Sequence, residues 1–199
     1  VGRWLTADHI ERILRLWADR EQFLQAFDRL PRCLCHHDAY RRNLLARRDP
    51  HGREQTVAID WAILGVGTVG EELAMLVPGS LRWLDADIED AAVLDAVAFN
   101  SYLAGLRDAG WDGDETLVRF GYTTAATYFT AVGGMVFLPF VADEHYHPLL
   151  EQVIGASLEQ ILTQWNGLQG RLLDLSDEMR QLYRILLFTR HLRPGYPPA

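Results

Sequence analysis

The chain has 199 residues and a formal net charge of −8, with 19 Arg, no Lys and 27 acidic residues. Hydrophobic residues make up 49% and charged residues 23% of the chain, which is typical of one globular domain and excludes a disordered protein. The acidic balance argues against a nucleic-acid partner, because binding to phosphates requires an excess of basic side chains. Residues 1–55 carry 11 Arg and 8 acids, whereas residues 56–199 carry 8 Arg and 19 acids, so the second part attracts cations more readily than anions.

Cysteine usage and apolar runs bear on where the chain works. Cys33 and Cys35 are too close in sequence for an ordinary disulfide, which favours a reducing compartment and hence the cytoplasm. Charges interrupt the first apolar stretch and no run of about 18 apolar residues follows, so we expect no signal peptide, transmembrane helix or membrane partner. Residue 1 is Val rather than Met, which indicates a piece of a longer chain.

The N-terminal region predicts two helices. Residues 7–18 form the first, capped by Thr6, and residues 21–30 form the second, which ends before Pro31. Apolar side chains of the first helix recur at helical spacing and predict a buried face. That face comprises Ile10, Ile13, Leu14 and Trp17.

The middle of the chain predicts a hairpin, a loop and a short helix. Strand candidates at residues 43–46 and 55–60 flank the turn signal at residues 49–52, Asp-Pro-His-Gly. Residues 65–70 are expected to form a glycine-rich loop. A short helix is predicted from Glu71 to Val77, ending at Pro78-Gly79.

The rest of the chain is expected to be helical. Apolar spacing predicts helices over residues 87–107, 114–138 and 148–165 and a last helix from Ser176, with a loop at residues 193–199. Residues 114–138 are apolar almost all round, which predicts a central buried helix. Gly133-Gly134 and Pro139 inside that stretch predict a kink or close packing.

One constellation of residues carries recognisable chemistry. Residues 36–43 read His-His-Asp-Ala-Tyr-Arg-Arg-Asn, and Asp60 follows at the end of an apolar strand candidate. Phosphoryl transfer from ATP requires a carboxylate that orients and deprotonates the attacking hydroxyl, together with oxygen ligands for Mg²⁺. Asp38 can supply the first, and Asn43 and Asp60 offer hard oxygens suited to Mg²⁺. The hairpin brings these two ligands together, because they flank its two strands.

The combined pattern resembles the C-terminal lobe of the aminoglycoside phosphotransferase and choline kinase family, which shares the protein-kinase fold. Those proteins carry motifs similar to His-Gly-Asp-x-x-x-x-Asn, Ile-Asp-Trp and Gly-x-Gly-Asp-Pro-x-x-Asp-Leu-Ala. The matching block covers residues 33–77. Its matched residues are His36, Asp38, Asn43, Ile59-Asp60-Trp61, Gly65, Gly67 and Leu73-Ala74.

The resemblance implies a fold and an activity. The fold is mainly α with a small β-hairpin, as the C-terminal lobe of a protein-kinase-like fold. One lobe would cover residues 1–199, with the catalytic loop and metal hairpin at 33–77 and a helical substrate-side region at 78–193. The activity is Mg²⁺-dependent phosphorylation of a small-molecule hydroxyl by ATP.

The resemblance also implies a role for each matched site residue. Asp38 would be the catalytic base, and Asn43 and Asp60 would bind Mg²⁺. His36 would brace the catalytic loop, and Glu72 stands at the helix start that normally anchors it. No substrate-binding residue is implied.

The chain departs from the family pattern at three positions. His37 stands where the family usually has Gly, and both Thr68 and Glu72 stand where it usually has Asp. None of these changes removes a proposed catalytic group, but each alters the expected geometry of a loop.

The half of a kinase that grips ATP is not recognisable. Kinases use a glycine-rich lid and a strand Lys to hold the phosphates, and this chain has no Lys. The catalytic motif begins at residue 36, so we expect the N-terminal ATP-binding lobe to be absent. That lobe of the same chain would be a partner, and the chain alone is expected to be inactive.

Two other interpretations of the same residues are weaker. Gly65, Gly67 and Gly70 spell G-x-G-x-x-G, but the predicted helix after them is too short for a βαβ crossover and no series of strands follows. Zinc binding by the Cys33–His37 region lacks a second pair of ligands. We therefore expect neither a dinucleotide site nor a zinc site.

The acceptor cannot be named from the sequence. The acidic balance of residues 56–199 favours a neutral or cationic small molecule. A non-catalytic helical binding module or a pseudo-kinase lobe is the alternative, but the retained Asp38, Asn43 and Asp60 argue against a decayed site.

Overall fold

The computed structural model describes residues 2–189, and this part of the chain is mainly helical with two small antiparallel sheets. The helices are α1 (Ala7–Phe27), α2 (Glu72–Arg82), α3 (Ala91–Asp108), α4 (Glu115–Ala125), α5 (Leu138–Ala142), α6 (His147–Ile154) and α7 (Leu158–Phe188). The strands are β1 (Arg32–Cys35), β2 (Leu44–Arg48), β3 (Glu54–Ala58) and β4 (Gly65–Thr68). The predicted mainly helical fold with a small hairpin is confirmed.

The hairpin forms where the sequence predicts it. β2 pairs with β3 from Leu44↔Ala58 to Arg48↔Glu54. At the tip, the Asp49 carboxylate accepts hydrogen bonds from the backbone N–H groups of His51 and Arg53, at 2.8 and 2.9 Å. A short polar side chain thus closes the turn, as is typical of Asp in turns.

The glycine-rich stretch is a strand, so the predicted loop at residues 65–70 is wrong for its first four residues. β4 pairs antiparallel with β1, from Arg32↔Thr68 to Cys35↔Gly65. A Cβ atom at position 67 would lie 2.7 Å from the Cys35 sulfur, so only Gly allows this close approach. Glycine has little strand propensity, and the pairing with β1 is a tertiary effect that local pattern does not reveal.

The two predicted N-terminal helices are one helix, α1. The Thr6 hydroxyl oxygen caps it by accepting from the His9 N–H at 3.1 Å, as predicted. The predicted buried face is only partly right, because Ile10, Leu14 and Trp17 are exposed. The stripe that packs into the core is shifted around the helix. It comprises Ile13, Leu16, Phe23, Ala26 and Phe27.

α2 continues past the predicted stop at Pro78-Gly79 and ends at Arg82. Proline inside a helix removes a backbone donor, which is why the sequence predicts an end here. Gly79 has a packing role, because a Cβ atom there would lie 2.4 Å from Cε1 of the Tyr40 ring. Burial of both residues against the core offsets their poor helix propensity.

The predicted central helix over residues 114–138 is buried mainly up to residue 131, and it is not one regular helix. α4 is followed by a π-helical segment, Ala126–Val132, a 3₁₀ segment, Gly133–Phe137, and α5. The change of helix type coincides with the predicted irregularity at Gly133-Gly134. By length and composition Glu115–Ala142 could cross a membrane. Most of residues 117–131 lie in the core, which accounts for their apolar character, whereas Val136 and Phe140 are exposed.

The C-terminal helices differ from those predicted. The predicted helix over 148–165 is broken, because α6 ends at Gly155, which has φ 80°, and α7 starts after the Ser157 cap. No new helix starts at Ser176, which lies inside α7 and donates its hydroxyl to the Leu173 carbonyl at 2.6 Å. The predicted loop at 193–199 lies outside the described residues. α3 agrees with its prediction to within a few residues.

An ion-pair cluster joins three of these helices. Arg119 on α4 donates to the carboxylates of Asp95 on α3 and Glu178 on α7, with shortest distances of 2.6 Å to each. Arg171 on α7 also contacts Asp95 at 2.6 Å. Asp95 is only 3% exposed, so its charge is compensated within the protein.

Candidate active site

The catalytic-loop candidates lie between β1 and β2, and two of them are joined directly. The side-chain N–H₂ group of Asn43 donates to the carboxylate of Asp38 at 2.8 Å and to its backbone carbonyl at 2.9 Å. The backbone turns tightly here, since the Tyr40 N–H donates to the Asp38 carbonyl at 2.8 Å. Asn43, which belongs to the same sequence motif as Asp38, therefore holds the Asp38 side chain in place.

His36 lies buried beneath this loop. Its Nδ1 atom accepts from the Asp38 N–H at 3.3 Å, and its Nε2 atom lies 2.8 Å from the carbonyl of Ile59. An accepting Nδ1 leaves Nε2 as the protonated nitrogen, so Nε2 donates to Ile59. The His36 ring also packs against Trp61, with centroids 4.4 Å apart. His36 therefore ties the catalytic loop to the segment that ends in Asp60.

Glu72 anchors the loop from the start of α2. One of its carboxylate oxygens accepts from the His36 N–H at 3.0 Å and the other from the His37 N–H at 2.8 Å. These are charge-assisted hydrogen bonds to two backbone donors just before Asp38. The longer Glu thus occupies the anchoring place at which the family usually has Asp.

Asp60 follows β3 at the same end of the hairpin as Asn43. The Ile59 N–H donates to the Asn43 carbonyl at 2.9 Å, which continues the β2–β3 pairing and places Asp60 one residue beyond it. Asp60 is exposed and has a left-handed backbone, with φ 61°. Strained backbone of this kind is concentrated at functional sites.

The donor atoms at this end of the hairpin suit a hard cation. Asn43 uses its nitrogen toward Asp38, and its side-chain oxygen has no hydrogen-bond partner among residues 2–189. Within residues 2–189, no hydrogen bond or ion pair engages the Asp60 carboxylate. Nor do three His, Cys, Asp or Glu side chains of this range form a group that could hold a metal. A Mg²⁺ ion here would therefore take these two oxygens together with phosphate oxygens, which is its usual way of binding.

The departures at His37 and Thr68 are linked through a residue that sequence reasoning missed, Glu71. His37 has φ 62°, the left-handed conformation that Gly adopts without strain. Its ring lies 3.4 Å from the carboxylate of Glu71, which also accepts from the Thr68 N–H at 2.8 Å. The only sequence feature that points to this contact is the pair Glu71-Glu72 at a helix start, together with His37 at a position where the family usually has Gly.

Cys33 and Cys35 point to the same side of β1, with their sulfurs 3.6 Å apart. The hydrogen bond from the Cys35 thiol lowers the pKa of Cys33 to about 7, whereas that bond and burial raise the pKa of Cys35. Cys33 also contacts the Tyr102 hydroxyl at 3.9 Å. The pair belongs to the support beneath the catalytic loop.

The rival dinucleotide interpretation does not fit the topology. Both sheets in the described range are two-stranded and antiparallel, whereas a dinucleotide fold requires a parallel βαβ unit. Gly70, with φ 86°, makes the turn into α2, and a Cβ atom there would lie 2.2 Å from the Val118 carbonyl oxygen. The glycines thus serve close packing of backbone segments.

Comparison with known proteins identifies a family for this chain. A family model described as the phosphotransferase enzyme family (APH) matches residues 3–115, which is more than half of the chain and includes the whole site. No curated protein matches the chain, and no solved structure does. The predicted resemblance to aminoglycoside phosphotransferases is confirmed at the level of the family: the chain belongs to the phosphotransferase enzyme family.

Proposed function

We propose that the chain is the C-terminal lobe of a protein-kinase-like small-molecule kinase, which transfers phosphate from ATP to a hydroxyl group. The observation that carries this proposal is the direct contact of Asp38 with Asn43 in a loop that Glu72 and His36 hold in place. Family membership supports phosphotransfer as the reaction class. The cytoplasm remains the proposed location.

Asp38 is the proposed catalytic base. Its carboxylate would accept a hydrogen bond from the acceptor hydroxyl, orient it toward the phosphate and take its proton as the new O–P bond forms. Asn43 keeps the Asp38 carboxylate in one orientation through the 2.8 Å hydrogen bond. Preorientation of this kind lowers the entropic part of the barrier.

Asn43 and Asp60 are the proposed magnesium ligands. Bound Mg²⁺ would neutralise the negative charge of the nucleotide phosphates. The free Asn43 oxygen and the unengaged Asp60 carboxylate are the groups that would hold it. His36 bridges the loop of Asn43 and the segment of Asp60, so it would keep the two ligands in register.

The segment after β3 supports a role for a further lobe that grips ATP. Ile59, Trp61, Ile63 and Leu64 are all exposed, and together they form an apolar surface beside Asp60. The chain has no Lys for the phosphates. We propose that an N-terminal lobe of the same chain covers this surface and completes the nucleotide site.

The test is an acceptor screen that follows ADP release by the full-length protein with Mg-ATP. With an active acceptor, Asp38→Asn should lower turnover by about 10²- to 10⁴-fold while the circular dichroism spectrum is unchanged. Asp112→Asn is the matched control, because Asp112 is exposed in the loop before α4. Unchanged turnover in Asp38→Asn would refute the role of Asp38, and a screen without ADP release would favour the non-catalytic alternative.

A further inference from the structure

A cavity of about 160 Å³ lies directly behind the catalytic loop. Tyr40, the C-terminal half of α2 and the irregular segment after α4 enclose it. Tyr40 is two residues from Asp38, and its backbone is hydrogen-bonded to both partners of the site: its N–H to Asp38 and its carbonyl to Asn43, each at 2.8 Å. Tyr40 therefore connects the lining of the cavity to the loop of the proposed catalytic base.

The cavity contains a buried cation with no anionic partner. Arg82, at the end of α2, is only 8% exposed. It donates one hydrogen bond, at 2.9 Å, to the carbonyl of Thr130, and its guanidinium lies 5.3 Å from the centroid of the Phe137 ring. No carboxylate in residues 2–189 lies within ion-pair distance of Arg82. A guanidinium has five N–H donors, so most of them are available to water or a ligand in the cavity.

The charge of Arg82 is costly where it lies. Burial lowers its pKa to about 10, so the side chain still carries its charge at neutral pH. A buried charge without a counter-ion destabilises a protein unless something repays the lost hydration. An anion bound in the cavity would do so.

The surrounding backbone is shaped to admit this side chain. A Cβ atom at position 134 would lie 2.7 Å from one guanidinium nitrogen of Arg82, so Gly134 makes room for it. The Thr130 carbonyl lies in the π-helical segment, Ala126–Val132, and π-helical turns are frequent at functional sites. The two glycines that the sequence left without a function, Gly133 and Gly134, both line the cavity.

We propose that this cavity binds a carboxylate group of the acceptor, with Arg82 as its counter-ion. The planar fork of Arg matches the two oxygens of a carboxylate. Arg82 is the only charged residue of the described lining, so a singly charged anion is compensated and a phosphate dianion is not. The inference rests on the proposed function, since it concerns the molecule that Asp38 would phosphorylate.

The net charge of residues 56–199 and the charge of Arg82 together indicate the class of the acceptor. The acidic composition of residues 56–199 favours a neutral or cationic molecule, and the cavity favours a carboxylate. A hydroxy amino acid satisfies both, because its ammonium and carboxylate groups leave no net charge. Its hydroxyl would lie at Asp38 and its carboxylate at Arg82.

The experiment compares acids with their amides by calorimetry on the full-length protein. The probes are hydroxy amino acids of three to six carbons, each with its uncharged carboxamide, and inorganic phosphate as a competitor. Loss of a hydrogen-bonded charge pair should weaken binding of the amide by about 10- to 100-fold relative to the acid. Equal affinities for acid and amide, no binding of any acid, or displacement of the acid by equimolar phosphate would overturn the proposal.

Two Arg82 variants locate the effect. Arg82→Met should abolish the preference for the acid, whereas Arg184→Met, on the exposed side of α7, should retain it. A preference retained in Arg82→Met would place the anion elsewhere and overturn the proposal. If Arg82→Met does not fold, Arg82→Lys replaces it. This variant keeps the charge and loses the fork, so the preference for the acid should shrink without vanishing, and an unchanged preference would overturn the proposal. If an acid binds through Arg82 but is not phosphorylated, the cavity is a carboxylate site as proposed. The same result would refute the proposed function.

Discussion

At the residue scale, Gly67 shows how closely the site is packed. A Cβ atom there would lie 2.7 Å from the Cys35 sulfur and 2.9 Å from both the His37 ring and the Glu71 carboxylate. We expect Gly67→Ala to lower the free energy of unfolding by about 1–3 kcal/mol, as overpacked cores do. Urea denaturation measures this change in the free energy of unfolding.

Gly105 is the matched control for this prediction. It lies exposed in α3 with nothing within 4 Å of an added Cβ atom. Gly105→Ala should stabilise the protein by about 0.5–1 kcal/mol, because alanine loses less entropy in a helix. A Gly67→Ala variant as stable as the parent would show that β1 and β4 are farther apart than described.

The two thiols should react differently with an alkylating reagent. The pKa of Cys33 is about 7 and its thiol is partly accessible, whereas Cys35 is buried with a raised pKa. The thiolate is the reactive form, so iodoacetamide should modify Cys33 with a midpoint near pH 7 and leave Cys35 unmodified. Mass spectrometry of the intact protein and its peptides measures both rates. Modification of Cys35 first, or a Cys33 midpoint near that of a free thiol, would contradict the prediction.

Local sequence predicts contacts within one loop better than contacts between distant segments. Asp38 and Asn43 lie within one loop, and a fixed spacing determines that they can meet. Arg82 and Thr130 are 48 positions apart, and their contact depends on how α2 packs against the segment after α4. Such a contact has no periodicity in the sequence, which is why the sequence does not single out Arg82.

At the scale of elements, the sequence predicts where helices and strands exist better than where they end. Thr6 and the Asp49 turn act through their own neighbours, so their roles are visible locally. α2 passes through Pro78 because burial outweighs a lost backbone hydrogen bond. The pairing of β4 with β1 is invisible locally, because its glycines are selected for close approach.

The ion-pair cluster joining α3, α4 and α7 gives a prediction at this scale. Asp95 is almost fully buried and contacts both Arg119 and Arg171, whereas the side chain of Glu178 is 35% exposed. Asp95→Ala removes the buried carboxylate that pairs with Arg119. We expect it to lower the free energy of unfolding by about 3–5 kcal/mol. Glu178→Ala should cost clearly less, since water can replace a half-exposed carboxylate.

Urea unfolding of both variants, with Glu89→Ala as an exposed control, tests the order. If Glu178→Ala destabilised the protein as much as Asp95→Ala, the cluster would depend on the α4–α7 contact rather than on Asp95.

At the scale of the whole molecule, the chain alone is expected to bind Mg-ATP weakly. Only Asn43 and Asp60 are proposed to hold the ion, and no Lys is present for the phosphates. We expect a dissociation constant above about 1 mM for the 199-residue chain by calorimetry. Submicromolar binding would show that these residues form a complete nucleotide site without a further lobe.

The pairing of β1 with β4 has a consequence for how the molecule can vary. The two strands close the base of a loop that contains Asp38, Asn43 and Asp60, and the hairpin of β2 and β3 extends from this loop with its tip at residues 49–52. Residues inserted at the tip lengthen the hairpin without separating the ends that carry the candidate site residues. The length of the hairpin can therefore vary at little cost to the candidate site, and an epitope tag placed between Pro50 and Gly52 should be tolerated.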